Sequence, residues 1–141
     1  MRLNLGAGLN KLNGYINIDK SKKAELDLVL DLDYEVFPYE NNSVEEIRAT
    51  HILEHIKNII PLMNECYRVL KVGGKMHISV PQGIGIWADP THLRAFSKIS
   101  FRYYCGYPLS EIYGITAKFR EESNIFVSND DGGVLEVVLV K

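Results

Sequence analysis

Hydrophobic and polar positions alternate in short blocks along the chain, each closed by turn-forming residues. Residues 3–5 read apolar, polar, apolar and run into Gly6-Ala7-Gly8, which predicts a short strand ending in a tight turn. Residues 15–18 predict a second strand ending at Asp19, and residues 28–30 a third ending at Asp31-Leu32. Residues 44–49 predict a fourth, ending at Thr50-His51. The period then changes. Leu62, Met63, Cys66, Val69 and Leu70 recur at helical spacing, with Pro61 suited to the first turn and Arg68 and Lys71 near the end. Gly73-Gly74 would supply a left-handed stop. A fifth strand over residues 75–80 closes at Pro81, and Ser97 caps a predicted helix over 98–104 that Gly106 ends. Residues 115–127 and 134–140 are β-rich, and residues 128–133 (Ser-Asn-Asp-Asp-Gly-Gly) between them have the composition of a hairpin turn. Strand and helix alternation followed by a hairpin predicts an α/β fold: a mostly parallel, seven-stranded sheet with an antiparallel pair at one edge.

Composition narrows the class. The chain has 141 residues with no linker, repeat or low-complexity tract, so a single domain over 1–141 is expected. Hydrophobic residues make up 46% and charged residues 24%, which argues against disorder and coiled coil. The formal net charge is -2, so bulk charge gives no case for a nucleic-acid or anionic-membrane partner. Cys66 and Cys105 stand in unrelated contexts without a metal-ligand spacing, which disfavours zinc and fits reduced thiols in the cytoplasm. No apolar run reaches the roughly 18 residues of a membrane span, and residues 1–5 lack the apolar region of a signal peptide.

The residues just past each strand carry the chemical clue, because open parallel sheets bind ligands beyond the carboxyl ends of their strands. Those ends carry Gly6 and Gly8, then Asp19, then Asp31-Leu32, then Thr50-His51. A carboxylate only accepts hydrogen bonds, so Asp19 at a strand end suits the two hydroxyls of a ribose. Taken singly, Asp19 and Asp31 also fit ordinary turn positions. The full G-x-G-x-x-G of nicotinamide enzymes is absent, since Asn10 and Lys11 come after the second glycine, and there is no P-loop.

Several stretches taken in order resemble the small class I S-adenosylmethionine-dependent methyltransferases of bacteria and phages. They are Leu3-Asn4-Leu5-Gly6-Ala7-Gly8, Asn13-Gly14-Tyr15-Ile16-Asn17-Ile18-Asp19, Phe37-Pro38-Tyr39-Glu40-Asn41-Asn42-Ser43-Val44 and Thr50-His51-Ile52-Leu53-Glu54-His55. Glu65-Cys66-Tyr67-Arg68-Val69-Leu70-Lys71-Val72-Gly73-Gly74-Lys75, followed by Val80-Pro81, completes the set. The resemblance covers residues 1 to about 105 and implies a Rossmann-like fold with S-adenosylmethionine as cofactor. It implies that Gly6, Ala7 and Gly8 pass under the methionine part and that Asp19 holds the ribose. Asp31 would meet the adenine amino group, Leu32 a ring nitrogen through its N–H, and Thr50 and His51 the sulfonium end. Asn4 stands where the family often has an acidic residue on the amino end of the cofactor. Val72 replaces a common Pro, and only ten residues separate Gly8 from Asp19, too few for the usual first crossover helix. One sheet face should therefore be thinly covered, which a second copy of the chain would remedy.

For the acceptor, Trp87, Asp89, His92 and Arg94 gather after the fifth strand, at the rim where acceptors enter such folds. The expectation is a small-molecule or glycan-type acceptor with His51 or His92 as general base, Asp89 orienting it, and Trp87 and Arg94 contacting the acceptor. Asp89 and His92 would equally serve to shape a loop. His51 and His55, four residues apart, would share a helix face if that segment is helical; they lack an obvious third ligand, so no metal is expected. His77 inside a strand and the tyrosines at 103, 104, 107 and 113 read as packing. A cofactor-binding module without turnover is the competing reading.

Overall fold

The computed structural model describes residues 1–22, 25–128, 130 and 132–141. Seven strands form one sheet: β1 (Arg2–Leu5), β2 (Ile16–Asp19), β3 (Leu28–Val29), β4 (Val44–Thr50), β5 (Leu70–Pro81), β6 (Arg120–Val127) and β7 (Val134–Val140). Their spatial order is β3-β2-β1-β4-β5-β7-β6. The first five run parallel, and β7 is antiparallel to both β5 and β6. The chain steps outward from β1 to β3 and then returns to β4 on the other side of β1. That reversal creates the crevice where ligands bind in open sheets.

Side-chain alternation divides the sheet into unlike faces. Leu3, Leu5, Ile47, Ala49, Met76, Ile78, Leu135 and Val137 are all buried on one face. The register aligns them, with Leu3 beside Ile16 and Ile47, and Leu5 beside Ile18 and Ala49. Helix α1 (Ile59–Val69) buries Leu62, Met63, Cys66 and Val69 in the same core, with Phe37, Phe96 and Phe101 filling the remainder. Each such side chain contributes about 1.5–3 kcal/mol on burial, so this face supplies most of the stability. The other face carries Asn4, Asn17, Glu46, Arg48, His77 and Ser79. There Tyr15 donates its hydroxyl to Glu46 at 2.6 Å, and the Arg48 Nε donates to the same carboxylate oxygen at 2.9 Å. The segment between β1 and β2 is made of turns, as the short spacing required.

Element boundaries differ from the sequence expectation in instructive places. Helix α1 begins at Ile59, two residues before Pro61, and ends because Leu70 is already extended at φ -63°, ψ 139°. Gly73-Gly74 therefore does not stop the helix. The pair lies inside β5, where the Gly73 N–H donates to the Lys141 carbonyl and the register with β4 shifts. A Cβ on Gly74 would lie 2.9 Å from the Lys71 carbonyl oxygen. The predicted helix over 98–104 is a 3₁₀ turn over Ser100–Tyr104, although Ser97 Oγ does accept from the Ile99 N–H. Strand β6 starts only at Arg120, after a further 3₁₀ turn at Glu111–Tyr113. Within the antiparallel pair, β7 is internal and β6 forms the edge. Of the predicted turn between them, Asn129 and Asp131 lie outside the described residues. Tyr103 packs on Tyr107 and Tyr113, as expected of packing residues. Cys66 and Cys105 are free thiols, and burial raises both, Cys105 to about 11. Among the described residues no helix is long and apolar enough to cross a membrane.

Candidate active site

A cavity of about 480 Å³ opens at the carboxyl ends of β1, β2 and β3. Gly6, Asp19, Asp31, Leu32, Ile52 and His55 are among the residues that line it. Its volume lies in the range of small-molecule sites. Gly6 is in the left-handed region at φ +64°, and a Cβ there would meet Ile52 Cγ1 at 2.5 Å. Only glycine both takes this turn and leaves the cavity wall thin. Asp19 accepts the Gly8 N–H on Oδ2 at 3.0 Å and the Ser21 N–H on Oδ1 at 2.9 Å. Asp31 accepts the Asp33 N–H at 3.0 Å. Each carboxylate keeps acceptor sites beyond these bonds, since two oxygens offer about four lone-pair positions. Ala7 is buried beneath the loop and donates its N–H to the Ile18 carbonyl.

Of the cofactor residues named from sequence, Gly6, Asp19, Asp31 and Leu32 line the cavity, whereas Asn4, Ala7, Gly8, Thr50 and His51 do not. Asn4 does not line the cavity: its buried amide donates to the Asn10 carbonyl and to Asn17 Oδ1. Its work is to hold the shortened loop. Thr50 ends β4 on the polar face, beside Ser79.

The wall behind the cavity is built from two segments that close on each other. The 3₁₀ turn Leu53–His55 comes after β4, and the segment after β5 contains the single turn α2 (Gly85–Ala88) and then residues 89–94. The Leu93 N–H donates to the Glu54 carbonyl at 2.8 Å, and Arg94 Nη2 to the Lys57 carbonyl at 3.1 Å. Thr91 donates its hydroxyl and backbone N–H to Asp89 Oδ1, which holds the Asp89 carboxyl below the usual carboxylate range. His92 is nearly buried, with Nδ1 2.7 Å from the Ile86 carbonyl. His51 sits in the left-handed region at φ +51°, half exposed, with Nδ1 3.4 Å from Glu54 Oε1.

The segment is not a continuous helix, so the condition for His51 and His55 to share a face is not met. The left-handed backbone at His51 breaks the chain direction, and His55 instead packs edge-on against His92 with ring centroids 4.7 Å apart. Trp87 is 77% exposed on α2. Glu54, Ile52 and Thr91 were not singled out from the sequence. Glu54 and Ile52 stand inside the Thr50-to-His55 stretch, but hydropathy gave no sign that a glutamate there is fully buried.

Comparison with known proteins agrees with this geometry. Residues 8–78 match a family described as a methyltransferase domain. The chain belongs to that methyltransferase family. No curated protein matches. Among solved structures, an S-adenosylmethionine-dependent methyltransferase from Archaeoglobus fulgidus is 14% identical with a TM-score of 0.74, covering 99% of this chain and 85% of that one. The 1,6-didemethyltoxoflavin-N1-methyltransferase of Burkholderia thailandensis, solved with S-adenosylhomocysteine, is 13% identical with a TM-score of 0.65, covering 99% of this chain and 70% of that one. The [4+2]-cyclase SpnF is 14% identical with a TM-score of 0.70, covering 99% and 74%. This methyltransferase thus has the Rossmann-like class I fold, and its cofactor is S-adenosylmethionine. The residues present fit that cofactor. Gly6 brings backbone to the cavity wall, and two carboxylates with free acceptor sites stand at successive strand ends.

Proposed function

We propose that this methyltransferase transfers the methyl group to a hydroxyl of a small-molecule or glycan-type acceptor. The observation that carries this reading is the imidazole at the end of β4. His51 is half exposed, backed by the fully buried Glu54, and connected through Glu54 and His92 to His55 on the cavity wall. A hydroxyl acceptor must lose its proton as it attacks, and a positioned imidazole accelerates such steps by roughly 10²–10⁴-fold.

Asp19 is assigned to the ribose hydroxyls and Asp31 to the adenine amino group. The Leu32 N–H would meet a ring nitrogen, and Gly6, Ala7 and Gly8 would run under the methionine part. The bound cofactor supplies an activated methyl on a sulfonium. His51 takes the acceptor proton, while Asp89, through Thr91, and His92 hold the segment that closes the site. Trp87 offers an exposed aromatic surface to an acceptor ring. Arg94 has Nη2 on the Lys57 carbonyl, and its buried Nη1 has no protein partner, which leaves two N–H donors for an anionic acceptor group. A second copy of the chain would contribute at this rim rather than over the polar sheet face, where Tyr15, Glu46 and Arg48 already satisfy one another.

The test is transfer of labelled methyl from S-adenosylmethionine to a panel of sugars, phenols and aliphatic alcohols. Expected is a methylated hydroxyl product formed one-for-one with S-adenosylhomocysteine. The second reading, cofactor binding without methyl transfer, draws on the likeness to a [4+2]-cyclase of the same fold. Tight binding of S-adenosylhomocysteine with no transfer to the panel or to a cell lysate would favour it.

A further inference from the structure

Glu54 is fully buried, and neither of its carboxylate oxygens has a hydrogen-bond partner. A buried carboxylate left in this state is costly, so the groups around it are informative. They are three imidazoles and one carboxylate. His51 Nδ1 is 3.4 Å and His92 Nε2 4.0 Å from Glu54 Oε1, and Asp89 Oδ2 is 4.0 Å from His92 Nε2. None of these contacts has hydrogen-bond geometry to Glu54.

The hydrogen-bond network fixes the ring tautomers by elimination. The Ile86 carbonyl can only accept, so the 2.7 Å contact makes His92 Nδ1 the donor. In the neutral ring, Nε2 then carries the lone pair, and it faces Glu54 and Asp89. Thr91 Oγ1 gives its proton to Asp89 at 2.7 Å, so at 3.0 Å it accepts from His55 Nδ1. His55 Nε2 therefore also carries a lone pair. Both rings have one nitrogen anchored by a second partner and the other presented as an electron pair, which is how proteins orient metal-ligating histidines. One ligand atom from each of Glu54, His55 and His92 lies within 4.8 Å of those of the other two.

We propose that Glu54, His55 and His92 bind a divalent transition-metal ion, which leaves one position of a tetrahedral shell open. Two imidazoles and a carboxylate favour zinc, iron, cobalt or manganese over magnesium or calcium, which prefer all-oxygen shells. Ligands on bonds of about 2.1 Å stand about 3.4 Å apart in a tetrahedral site, so the cluster contracts slightly on loading. The ion balances the orphaned carboxylate. Because His55 and Thr91 also line the cavity, its open position faces that space and can take an acceptor oxygen as ligand. This last step rests on reading the cavity as the methyl-transfer site; the metal site itself does not.

The test uses the full chain stripped with a chelator. Titration with Zn²⁺ alone is followed by calorimetry, and with Co²⁺ alone by its visible absorption. Expected is one equivalent bound, with affinity lowered at least tenfold by His55→Ala and by His92→Ala, and left unchanged by His77→Ala on the polar sheet face. Glu54→Gln should do the same, and the two histidine variants keep the test valid if burial makes that variant unfold. Absence of stoichiometric binding, or binding indifferent to both histidine variants, overturns the proposal. Binding of S-adenosylhomocysteine is measured in the same samples. If it persists while metal does not bind, the metal site fails and the cofactor reading stands; the reverse pattern separates them the other way.

Discussion

Asn4 donates its side-chain amide to Oδ1 of Asn17 at 3.0 Å, and both residues are buried in adjacent strands. The same Asn17 oxygen accepts the Leu12 N–H at 2.8 Å, and its Nδ2 donates to Asp27 Oδ2 at 2.9 Å. One side chain thus ties β1, the turn residues and the approach to β3. It does so where a crossover helix would otherwise pack. Asn17→Ala leaves the Asn4 amide and the Leu12 N–H without their partner. The expected cost is about 1–3 kcal/mol, from one buried N–H of Asn4 and the part-buried Leu12 N–H. Thermal unfolding checks this; a loss below about 0.5 kcal/mol would mean water substitutes freely.

Asp19 joins the loop after β1 to the end of β2 through the Gly8 N–H, and it lines the cavity. Asp19→Ala removes the loop anchor and the group assigned above to the ribose hydroxyls. Affinity for S-adenosylhomocysteine should fall about 10–100-fold, the worth of one or two hydrogen bonds to a charged group. Calorimetry measures it. An unchanged affinity would place the cofactor elsewhere.

Much of this site could be read from the chain because strand ends announce themselves. Gly6, Asp19 and Asp31 each come directly after an apolar run, and in a parallel sheet those positions converge at one edge. The fold class was legible for the same reason. Residues brought in by long-range folding were not. Nothing local marks Glu54 as buried, because its burial depends on residues 91–93 closing over the turn that contains it. The His51/His55 spacing could not decide their relation, since a four-residue interval implies a shared face only in a continuous helix, and His51 is left-handed. Gly73-Gly74 misled. A glycine pair after a helix suits either a cap or a bulge, and the partner strand decides which.

Gly6→Ala should show how tightly the cavity floor is specified. The added methyl meets Ile52 side-chain atoms at 2.5–2.7 Å and the residue must hold φ +64°. A loss of about 1–3 kcal/mol is expected from backbone strain, with further loss from the clash. Ile52→Ala combined with it should recover only the part of the clash due to Cγ1 and Cδ1, since the Cβ at 2.7 Å remains. A double-mutant cycle with no coupling would show that the loop shifts away instead.

Acid sensitivity should centre on Glu65. Burial pushes its carboxyl up, but two hydrogen bonds from Arg68 and one from the Phe37 N–H outweigh this and hold it below its ordinary value. A carboxylate lowered in the folded state is protonated first in the unfolded chain. Its stabilisation is complete above the unfolded pKa of about 4.3 and is lost as pH falls through the lower folded value. Glu65→Gln should lower stability at about pH 7 by about 1–3 kcal/mol and flatten the decline below about pH 4.5. Denaturant unfolding at several pH values tests it; an unchanged slope would assign the acid response to other carboxylates.

His51 combines strain with chemistry. A residue carrying a β-carbon at φ +51° costs about 1–2 kcal/mol relative to glycine, and the fold keeps it at the end of β4 where its N–H donates to the Ser79 carbonyl. Such strain persists where it serves a function. His51→Gly relieves the backbone, and His51→Asn tolerates the same conformation without an imidazole. If His51 is the base, both variants should keep or gain thermal stability and bind S-adenosylhomocysteine normally. Turnover on a hydroxyl acceptor should meanwhile fall about 10²–10⁴-fold in kcat, with little change in KM for the cofactor. Turnover that instead tracks stability, or that survives in His51→Asn, would show that the imidazole only fills space beside Glu54.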